Sequence, residues 1–389
     1  MLRFATALAV LLLAAPLRAQ TVTVETIVPA GSAIVDGLAL GPDGALYGSE
    51  FGTFNPFVAG TAVTRVDLTT FATSVHADDF SFPNGLAFRP DGTLYVVSYY
   101  DAGTNSGRVW RVAPDGTAQV IRTLPNAITV SGAAYDAVNG TLYIASYDSN
   151  WIRTLDDSGA FTDVVSMNGL NGPAGMAFDS QNRLHVANFE DGKIFRVDGS
   201  ALTLLADVGE ALGFLAYGGD RFFATGIRDH RIYAITEAGE VSVLAGTGSP
   251  GSVDGDGAVA QFNAPNGIAA TATGDTLYVS DAGTQAVRRI TLGGATAGDV
   301  TPDATGALLP IAPNPTASGA TVRFRLAEPG HVEVALFDTL GRRVRVVASG
   351  LRGLGRHEVA LDMDSLAPGA YVVTLRHGDT VESQPLVRL

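Results

Sequence analysis

Short stretches in which apolar and polar residues alternate recur along the chain, and most are followed by a turn that contains Gly, Asn or Asp. One phrase, "PNGLAFRPDGTLYVVSY", begins at Pro83, and a close variant, "PNGIAATATGDTLYVSD", begins at Pro265. Looser copies begin at Asp36, Ser131, Ala174 and Leu212. Such alternation is typical of half-buried strands, so it predicts a repeated unit of paired antiparallel strands.

The repeats continue in the same way after these two strands. Each adds a third strand such as "KIFRVDG" and, in most copies, a fourth such as "ALTLLADV" after a hairpin turn. The copies are 38 to 54 residues apart, measured between Gly37, Gly85, Gly132, Gly175, Gly213 and Gly267. Four-stranded units at this period are typical of propeller blades, so six units predict an all-β, six-bladed β-propeller over residues 20–292. Gly and Ala recur where the inner strands are expected to crowd around the axis.

The last repeat lacks a fourth strand, because its third strand ends at Leu292 and a different composition follows. The segment "TVTVETIV", Thr21–Val28, has the pattern of a spare strand. We expect it to occupy the outer edge of the last blade and close the ring, which leaves fewer open sheet edges.

One repeat is diagnostic of a family. The segment from Val243 to Thr291 resembles an NHL repeat along nearly its whole length. The other copies resemble both NHL proteins and the related gluconolactonase and senescence-marker (SMP-30-type) propellers. The resemblance covers roughly residues 21–292 and implies the fold, but it leaves the activity open because this scaffold carries both enzymes and binding proteins.

The pattern changes after the propeller. Residues 293–310 are rich in Gly, Ala, Thr, Asp and Pro, which indicates a flexible linker. Residues 311–389 alternate again in strand-length runs, so they predict a small β-sandwich of roughly seven strands, on the scale of an Ig-like domain.

Three motifs in this tail resemble the C-terminal sorting domain of type IX secretion cargo: "APNP" from Ala312, "VEVALFDTLGRRV" from Val332 and "LAPGAYVVTLRHGD" from Leu366. The resemblance implies that residues 311–389 contact the type IX secretion machinery. It also implies that the protein is secreted or reaches the outer surface of a Gram-negative bacterium. The alternative is a plain Ig-like adhesion module.

The N-terminus has the pattern of a signal peptide. Arg3 precedes an apolar run that is too short to span a bilayer, and Ala19 suits signal-peptidase cleavage. We therefore assign residues 1–19 to a signal peptide and expect Gln20 to be the first mature residue, the alternative being a retained membrane anchor. No other stretch is long and apolar enough to cross a membrane, so none remains after signal removal.

Composition narrows the classes of partner and chemistry. The formal charge of −14 and pI of about 4.7 argue against nucleic acid and anionic membranes as partners. The absence of Cys excludes disulfides, thiolate metal sites and Cys nucleophiles.

Polar residues precede most of the repeated Gly residues and should form a ring around one mouth of the propeller channel, here called the top mouth. In blade order the ring is Asp36, Asn84, Ser131, Ala174, Leu212 and Asn266, with Gly213 as the blade-five member if that repeat is shifted by one. The side-chain oxygens of four members suit a Ca²⁺ ion, which takes carboxylate and amide oxygens as ligands. These predicted oxygen ligands are Asp36, Asn84, Ser131 and Asn266.

The family resemblance implies that this ring carries metal ligands and a catalytic Asp, but Ala174 stands in the blade-four position and can neither bind a metal nor move a proton. With one carboxylate, the ring predicts weak Ca²⁺ binding at most. The alternative is that Asn84 and Asn266 only stabilise local turns.

The ends of the second strands place a further set of residues near the same mouth. Aromatic residues occupy one position in four consecutive blades, next to acids and amides, and this mixture suits a glycan or an extended peptide. The predicted ligand-binding residues are Glu50, Phe51, Tyr99, Tyr147, Trp151, Asn188, Phe189 and Asp281. The alternative is that the aromatic residues serve blade-to-blade packing.

These observations favour a secreted or cell-surface propeller that binds a glycan or protein ligand at its top face. The alternative is a Ca²⁺-dependent lactonase or esterase that uses Asp36, Asn84 and Asn266. No residue is assigned as catalytic, although His230 is a weaker candidate for an acid or base. The sequence contains no G-x-S-x-G, H-E-x-x-H or P-loop motif.

Overall fold

The computed structural model describes residues 21–54, 57–101, 106–124, 129–293, 307–308, 311, 314–316, 318–326, 330–338, 342–352, 355–364, 366–378 and 380–389. The chain divides into two compact units, residues 1–296 and 297–389. The predicted signal peptide and nearly all of the predicted linker lie outside the described residues. Among the described residues, no helix is long and apolar enough to span a membrane.

The first unit is a ring of antiparallel sheets, one per sequence repeat, and the prediction of an all-β six-bladed propeller is confirmed. The inner strands of neighbouring blades contact one another around the whole ring, including blade six against blade one. From the inner to the outer strand, the blades are Leu38–Leu40, Leu46–Ser49, Val63–Val66 and Thr73–Ala77 (one); Pro83–Phe88, Leu94–Asp101, Ser106–Val112 and Ala118–Thr123 (two); Val130–Asp136, Thr141–Ser146, Trp151–Leu155 and Phe161–Ser166 (three); Pro173–Phe178, Leu184–Asn188, Lys193–Asp198 and Ala201–Asp207 (four); Leu212–Gly218, Arg221–Gly226, Arg231–Thr236 and Val241–Ala245 (five); and Pro265–Ala270, Thr276–Asp281, Ala286–Gly293 and Thr21–Val28 (six).

The ring closes as the sequence predicts. Thr21–Val28 pairs antiparallel with the third strand of blade six, from Thr21 opposite Gly293 to Val28 opposite Val287. Blade six has one strand more than expected, because the short strand Gly255–Asp256 pairs outside Thr21–Val28. Blade one carries an additional short hairpin, Gly52–Phe54 with Phe57–Ala59, between its second and third strands.

The repeated Gly residues are explained by the approach of the next blade. A Cβ on Gly37 would lie 2.3 Å from the carbonyl oxygen of Asn84, and one on Gly132 would lie 2.1 Å from that of Ala174. A Cβ on Gly267 would lie 2.0 Å from the Asp36 carbonyl, so the same contact joins blade six to blade one. Only Gly fits where two inner strands come this close.

The second unit contains two antiparallel sheets and a single apolar core. The described strands form one sheet of Ala307–Leu308, Gly319–Leu326 and Gly355–Asp362, and another of Arg343–Arg352, Gly330–Asp338, Gly369–His377 and Thr380–Arg388. Side chains from both sheets are buried in the core, including Val322, Phe324, Val334, Leu336 and Val373. The described strands number seven, as the sequence predicts, and the likeness to an Ig-like domain stays a prediction.

Candidate functional site

A cavity of about 400 Å³ opens at the mouth where the inner strands begin. The four predicted oxygen ligands line it, and so do four of the five predicted aromatic residues, Trp151 being the exception. The lining residues are Val35, Asp36, Phe51, Gly52, Asn84, Tyr99, Ser131, Tyr147, Ala174, Phe189, Phe214, Asn266, Ala282 and Gln285. The fold therefore brings together eight residues that lie as far apart as positions 36 and 266.

Blade five is shifted by one residue relative to the other repeats. Its strand pairing places Leu215 where Met176 stands in blade four. Counting back two residues, Gly213 holds the ring position, so the assignment of Leu212 is wrong and the shifted alternative is correct. Phe214 then stands where the other blades have Gly, and its side chain enters the cavity lining.

Hydroxyl groups on the second strands hold the inner-strand backbone at three ring positions. Each donates to the carbonyl oxygen of the ring residue in the next blade, which anchors that residue at the mouth. The bonds run from Ser49 to Asn84 at 2.8 Å, from Thr225 to Asn266 at 2.5 Å and from Ser280 to Asp36 at 2.8 Å. Sequence reasoning missed these residues, although a Ser or Thr directly before the end of the second strand in blades one, five and six was a visible signal.

Asp36 is the acid of the cavity. Its side chain is buried, with 5% of the residue exposed. Its Oδ1 accepts a hydrogen bond of 2.9 Å from the Asn266 side-chain amide, and the Gly37 backbone N–H also donates to the carboxyl. Burial raises the pKa of Asp36 well above its usual value despite these two donors, because a carboxylate loses its hydration there. Burial therefore shifts this carboxyl toward its neutral form.

Asn84 and Ser131 extend the polar floor into the next two blades. Asn84 is 7% exposed, and its Oδ1 is buried without a hydrogen-bond partner. Ser131 Oγ donates to the Pro173 carbonyl oxygen at 2.6 Å, so its proton is already used. Both oxygens can therefore act only as hydrogen-bond acceptors toward a ligand.

An arc of aromatic rings borders the floor on four consecutive blades. Neighbouring ring centroids are 5.6 Å apart between Phe51 and Tyr99, 6.4 Å between Tyr99 and Tyr147, and 5.6 Å between Tyr147 and Phe189. The rings contact one another at steep interplanar angles. These residues therefore also pack neighbouring blades together, which was the alternative role considered for them. The arc nevertheless forms part of the cavity wall.

Charged residues support the far end of this arc. Tyr147 donates its hydroxyl to Glu190, and Arg228 pairs with the same carboxylate at 3.6 Å. The Arg228 guanidinium also lies 5.6 Å from the Phe189 ring centroid. Burial and the neighbouring Glu190 raise the pKa of Tyr147, so this hydroxyl remains a donor.

Four predicted ligand-binding residues lie outside the cavity lining. The Glu50 carboxylate accepts a hydrogen bond of 2.5 Å from Thr64 within blade one. Trp151 is 4% exposed and packs in the core shared by blades two and three. Neither residue lies in the cavity lining, and their role in ligand binding stays a prediction.

The other two predicted residues make hydrogen bonds and ion pairs outside the cavity lining, and their role in ligand binding also stays a prediction. The Asn188 amide donates to the Gly169 carbonyl and to Asp191. Asp281 accepts from the Asn263 backbone N–H at 2.6 Å and pairs with the fully buried Arg288 at 3.3 Å. Side chains alternate along a strand, so the next residue of the second strand or its loop, and not the strand end itself, turns toward the mouth.

The weaker candidate His230 is also engaged in structure. Its Nδ1 accepts a hydrogen bond of 3.0 Å from the backbone N–H of Ala264. Ala264 directly precedes the inner strand of blade six. This bond uses the nitrogen that a general base would need, and His230 is not part of the cavity lining.

The donor set fits Ca²⁺ poorly. Among the described lining residues Asp36 supplies the only carboxyl group, and burial shifts it toward its neutral form. Among the described residues, no group of three or more His, Asp or Glu side chains is placed to hold a metal ion. Ca²⁺ generally takes six to eight oxygen ligands and is held most tightly by several carboxylates. Weak Ca²⁺ binding by Asp36, Asn84, Ser131 and Asn266 stays a prediction.

Comparisons with solved structures agree with this fold. An auxiliary nutrient binding protein from Bacteroides thetaiotaomicron is 15% identical, with a TM-score of 0.59 over 71% of this chain and 77% of that chain. One from Bacteroides ovatus is 17% identical, with a TM-score of 0.57 over 71% and 78%. A gluconolactonase from Xanthomonas campestris is 12% identical, with a TM-score of 0.52 over 69% and 89%. At these identities the likeness shows the fold alone.

Family models match part of each unit. Residues 31–171 match the SMP-30/gluconolactonase/LRE-like region, and residues 310–387 match the secretion system C-terminal sorting domain. No curated protein matches the chain. The NHL part of the sequence resemblance stays a prediction. The chain therefore joins a β-propeller that carries an SMP-30/gluconolactonase/LRE-like region to a type IX sorting domain, and it is exported to the cell surface or the medium.

Proposed function

We propose that the exported propeller is a binding protein that holds a glycan or a protein segment in the cavity at its top mouth. The observation that carries this proposal is the arc of Phe51, Tyr99, Tyr147 and Phe189 beside a floor of buried hydrogen-bonding groups. Flat apolar walls and a few polar groups suit a ligand with an apolar face and polar edges. The names of two structural neighbours, auxiliary nutrient binding proteins, are consistent with this role.

The second candidate is a Ca²⁺-dependent lactonase or esterase, and one observation favours it. Asp36 is a buried acid with a raised pKa inside the cavity, which is a common property of catalytic acids and bases. The ring positions of blades four and five are Ala174 and Gly213, however, and neither can take a proton. Hydrolysis would therefore depend on Asp36 without a second acid or base from those blades.

A glycan array followed by titration calorimetry of the hits tests the proposal. Tyr99→Ala should weaken binding of a hit about tenfold, because it removes one aromatic wall of the cavity. Tyr143→Ala is the matched control, since Tyr143 packs on Phe178 at 5.6 Å and does not line the cavity. Equal affinities of the wild type and Tyr99→Ala would contradict the proposal. Ca²⁺-dependent lactone hydrolysis that is lost in Asp36→Asn would favour the second candidate instead.

A further inference from the structure

The polar floor of the cavity offers oxygen acceptors from three adjacent blades, beside the amide N–H groups of Asn84 and Gln285. Asn84 Oδ1 is an acceptor without a partner, and Ser131 Oγ can only accept because its proton is donated to Pro173. Asp36 receives two donors, and in its ionised form the carboxylate can accept about four. Three adjacent blades therefore present oxygen acceptors to the same ligand.

The charge of the cavity points in the same direction. Its lining contains the acid Asp36 and five aromatic side chains, and no Lys, Arg or His occurs among these lining residues. Among the charged residues beside the lining, Glu190 accepts a hydrogen bond from Tyr147, and Arg228 is paired with Glu190. Besides burial, Asp148 is also close enough for its charge to raise the pKa of Tyr99 and Tyr147. The protein as a whole carries a charge of −14. Aromatic rings attract organic cations through their negative faces, and a buried acceptor without a partner needs a donor.

Resting on the proposed function, we infer that the ligand presents an ammonium group to this floor and is an amino sugar unit of a glycan. An ammonium brings three N–H donors to the acceptors of Asp36, Asn84 and Ser131. A Ca²⁺ ion would gain nothing from the aromatic arc, and a quaternary ammonium would leave the acceptors without donors. A pyranose ring also fills a cavity of about 400 Å³ better than a slender lysine side chain does.

Binding of an ammonium group should lower the pKa of the Asp36 carboxyl. The groups that face this carboxyl are the Asn266 amide and the Gly37 N–H, and Tyr99 is close enough to sense its charge. None of them is a cation, so no positive charge beside the carboxyl opposes the upward shift of its pKa by burial. A bound ammonium supplies the missing positive charge, and the carboxyl should release its proton when the ligand binds.

Calorimetry of the full chain with glucosamine and glucose tests the inference, since the two sugars differ in one substituent. Glucosamine should bind at least about tenfold more tightly, because its charged donors replace a neutral hydroxyl. Its binding enthalpy should depend on the buffer, which reports proton release, and that of glucose should not.

The variants separate the charge from the fold. Asp36→Asn keeps an acceptor for Asn266 but should abolish both the preference for glucosamine and the proton release. Asp163→Asn is the matched control, because Asp163 is an exposed acid on the outer strand of blade three and should leave both unchanged. If Asp36→Asn does not fold, Asn84→Leu provides a second test and should weaken glucosamine binding.

Other outcomes overturn the inference. Equal affinity for glucose and glucosamine, with both weakened by Tyr99→Ala, would keep the cavity as a binding site and contradict the ammonium. Tight binding of Nα-acetyl-lysine amide without binding of glucosamine would contradict the amino sugar. A failure of glucosamine to bind at millimolar concentration would overturn the inference, whereas the glycan array decides the proposed function separately.

Discussion

The Asn266 side chain of blade six donates a hydrogen bond of 2.9 Å to the Asp36 carboxyl of blade one. These two residues are the last and first members of the ring of polar side chains at the mouth. The same two blades are joined at the periphery, where Thr21–Val28 adds the fourth strand to blade six. The cavity floor is therefore complete only when the propeller is closed.

Deletion of Thr21–Val28 should destabilise the propeller strongly. The segment buries Val24, Ile27 and Val28, and its loss also exposes the edge of Ala286–Gly293. We expect a loss of about 5 kcal/mol or more in the free energy of unfolding, or aggregation through the open edge. Denaturant titration measures the loss, and Thr23→Ala, an exposed position on the same strand, is the control. Unchanged stability of the deletion variant would show that the ring closes in another way.

Gly132→Ala should disrupt the contact between blades three and four. The added Cβ would lie 2.1 Å from the Ala174 carbonyl oxygen, and the inner strand cannot move without displacing the floor. We expect a loss of about 3 kcal/mol or more. Gly199→Ala is the control: its φ is +62° and no atom lies within 4 Å, so only backbone strain of about 1–2 kcal/mol applies. A Gly132→Ala protein as stable as the control would contradict the close packing.

Asp36→Asn should become more stable relative to the wild type as the pH rises. Burial raises the pKa of Asp36 in the folded protein above the value of about 4 expected in the unfolded chain. Between these two pKa values the folded state binds a proton that the unfolded state does not, so the free energy of unfolding of the wild type falls with increasing pH.

The measurement for this prediction is the difference in Tm between Asp36→Asn and the wild type at several pH values from about 4 upward. Ser131→Ala changes a residue of the same mouth without removing a titratable group, so its Tm difference should stay constant. A constant difference for Asp36→Asn as well would contradict the raised pKa.

Millimolar Ca²⁺ should leave the melting temperature unchanged. Burial shifts the Asp36 carboxyl of the mouth toward its neutral form, and part of its acceptor capacity is used by Asn266. If the four oxygen donors do hold the ion, its dissociation constant should be no lower than about 10⁻⁴ to 10⁻³ M. A rise in Tm with Ca²⁺ that disappears in Asp36→Asn would support the metal hypothesis, because a ligand that binds only the folded state stabilises it.

Removal of residues 311–389 should stop export across the outer membrane. This segment contains nearly all of the match to the sorting domain, which spans residues 310–387. We expect the truncated propeller to accumulate in the periplasm, as measured by cell fractionation and surface proteolysis. A reporter fused to the same tail should be exported and serves as the control. Truncated protein at the cell surface in normal amounts would contradict the assignment.

The positions of the aromatic arc could be predicted from the spacing of the repeats. Phe51, Tyr99, Tyr147 and Phe189 follow the second strand in four consecutive repeats, so the spacing predicted that they share a mouth. Trp151, in contrast, was grouped with them because it is near in sequence, and it packs in the core between two blades. Proximity along the chain does not say which face of a sheet a side chain takes.

Local patterns were enough to predict the repeats, the number of blades and the closing strand, because strand alternation and turn chemistry are local properties of a chain. The sorting tail was predicted from the resemblance of its motifs to a known family. The register of blade five and the contacts of Asp36 depend on pairing between distant segments. Gly213 could be distinguished from Leu212 as the ring residue once Leu215 was seen opposite Ala224. The pKa of the Asp36 carboxyl depends on its burial in the folded propeller and on the Asn266 amide, 230 positions away. Hydration and electrostatics are set by the folded surroundings, so no local pattern specifies them.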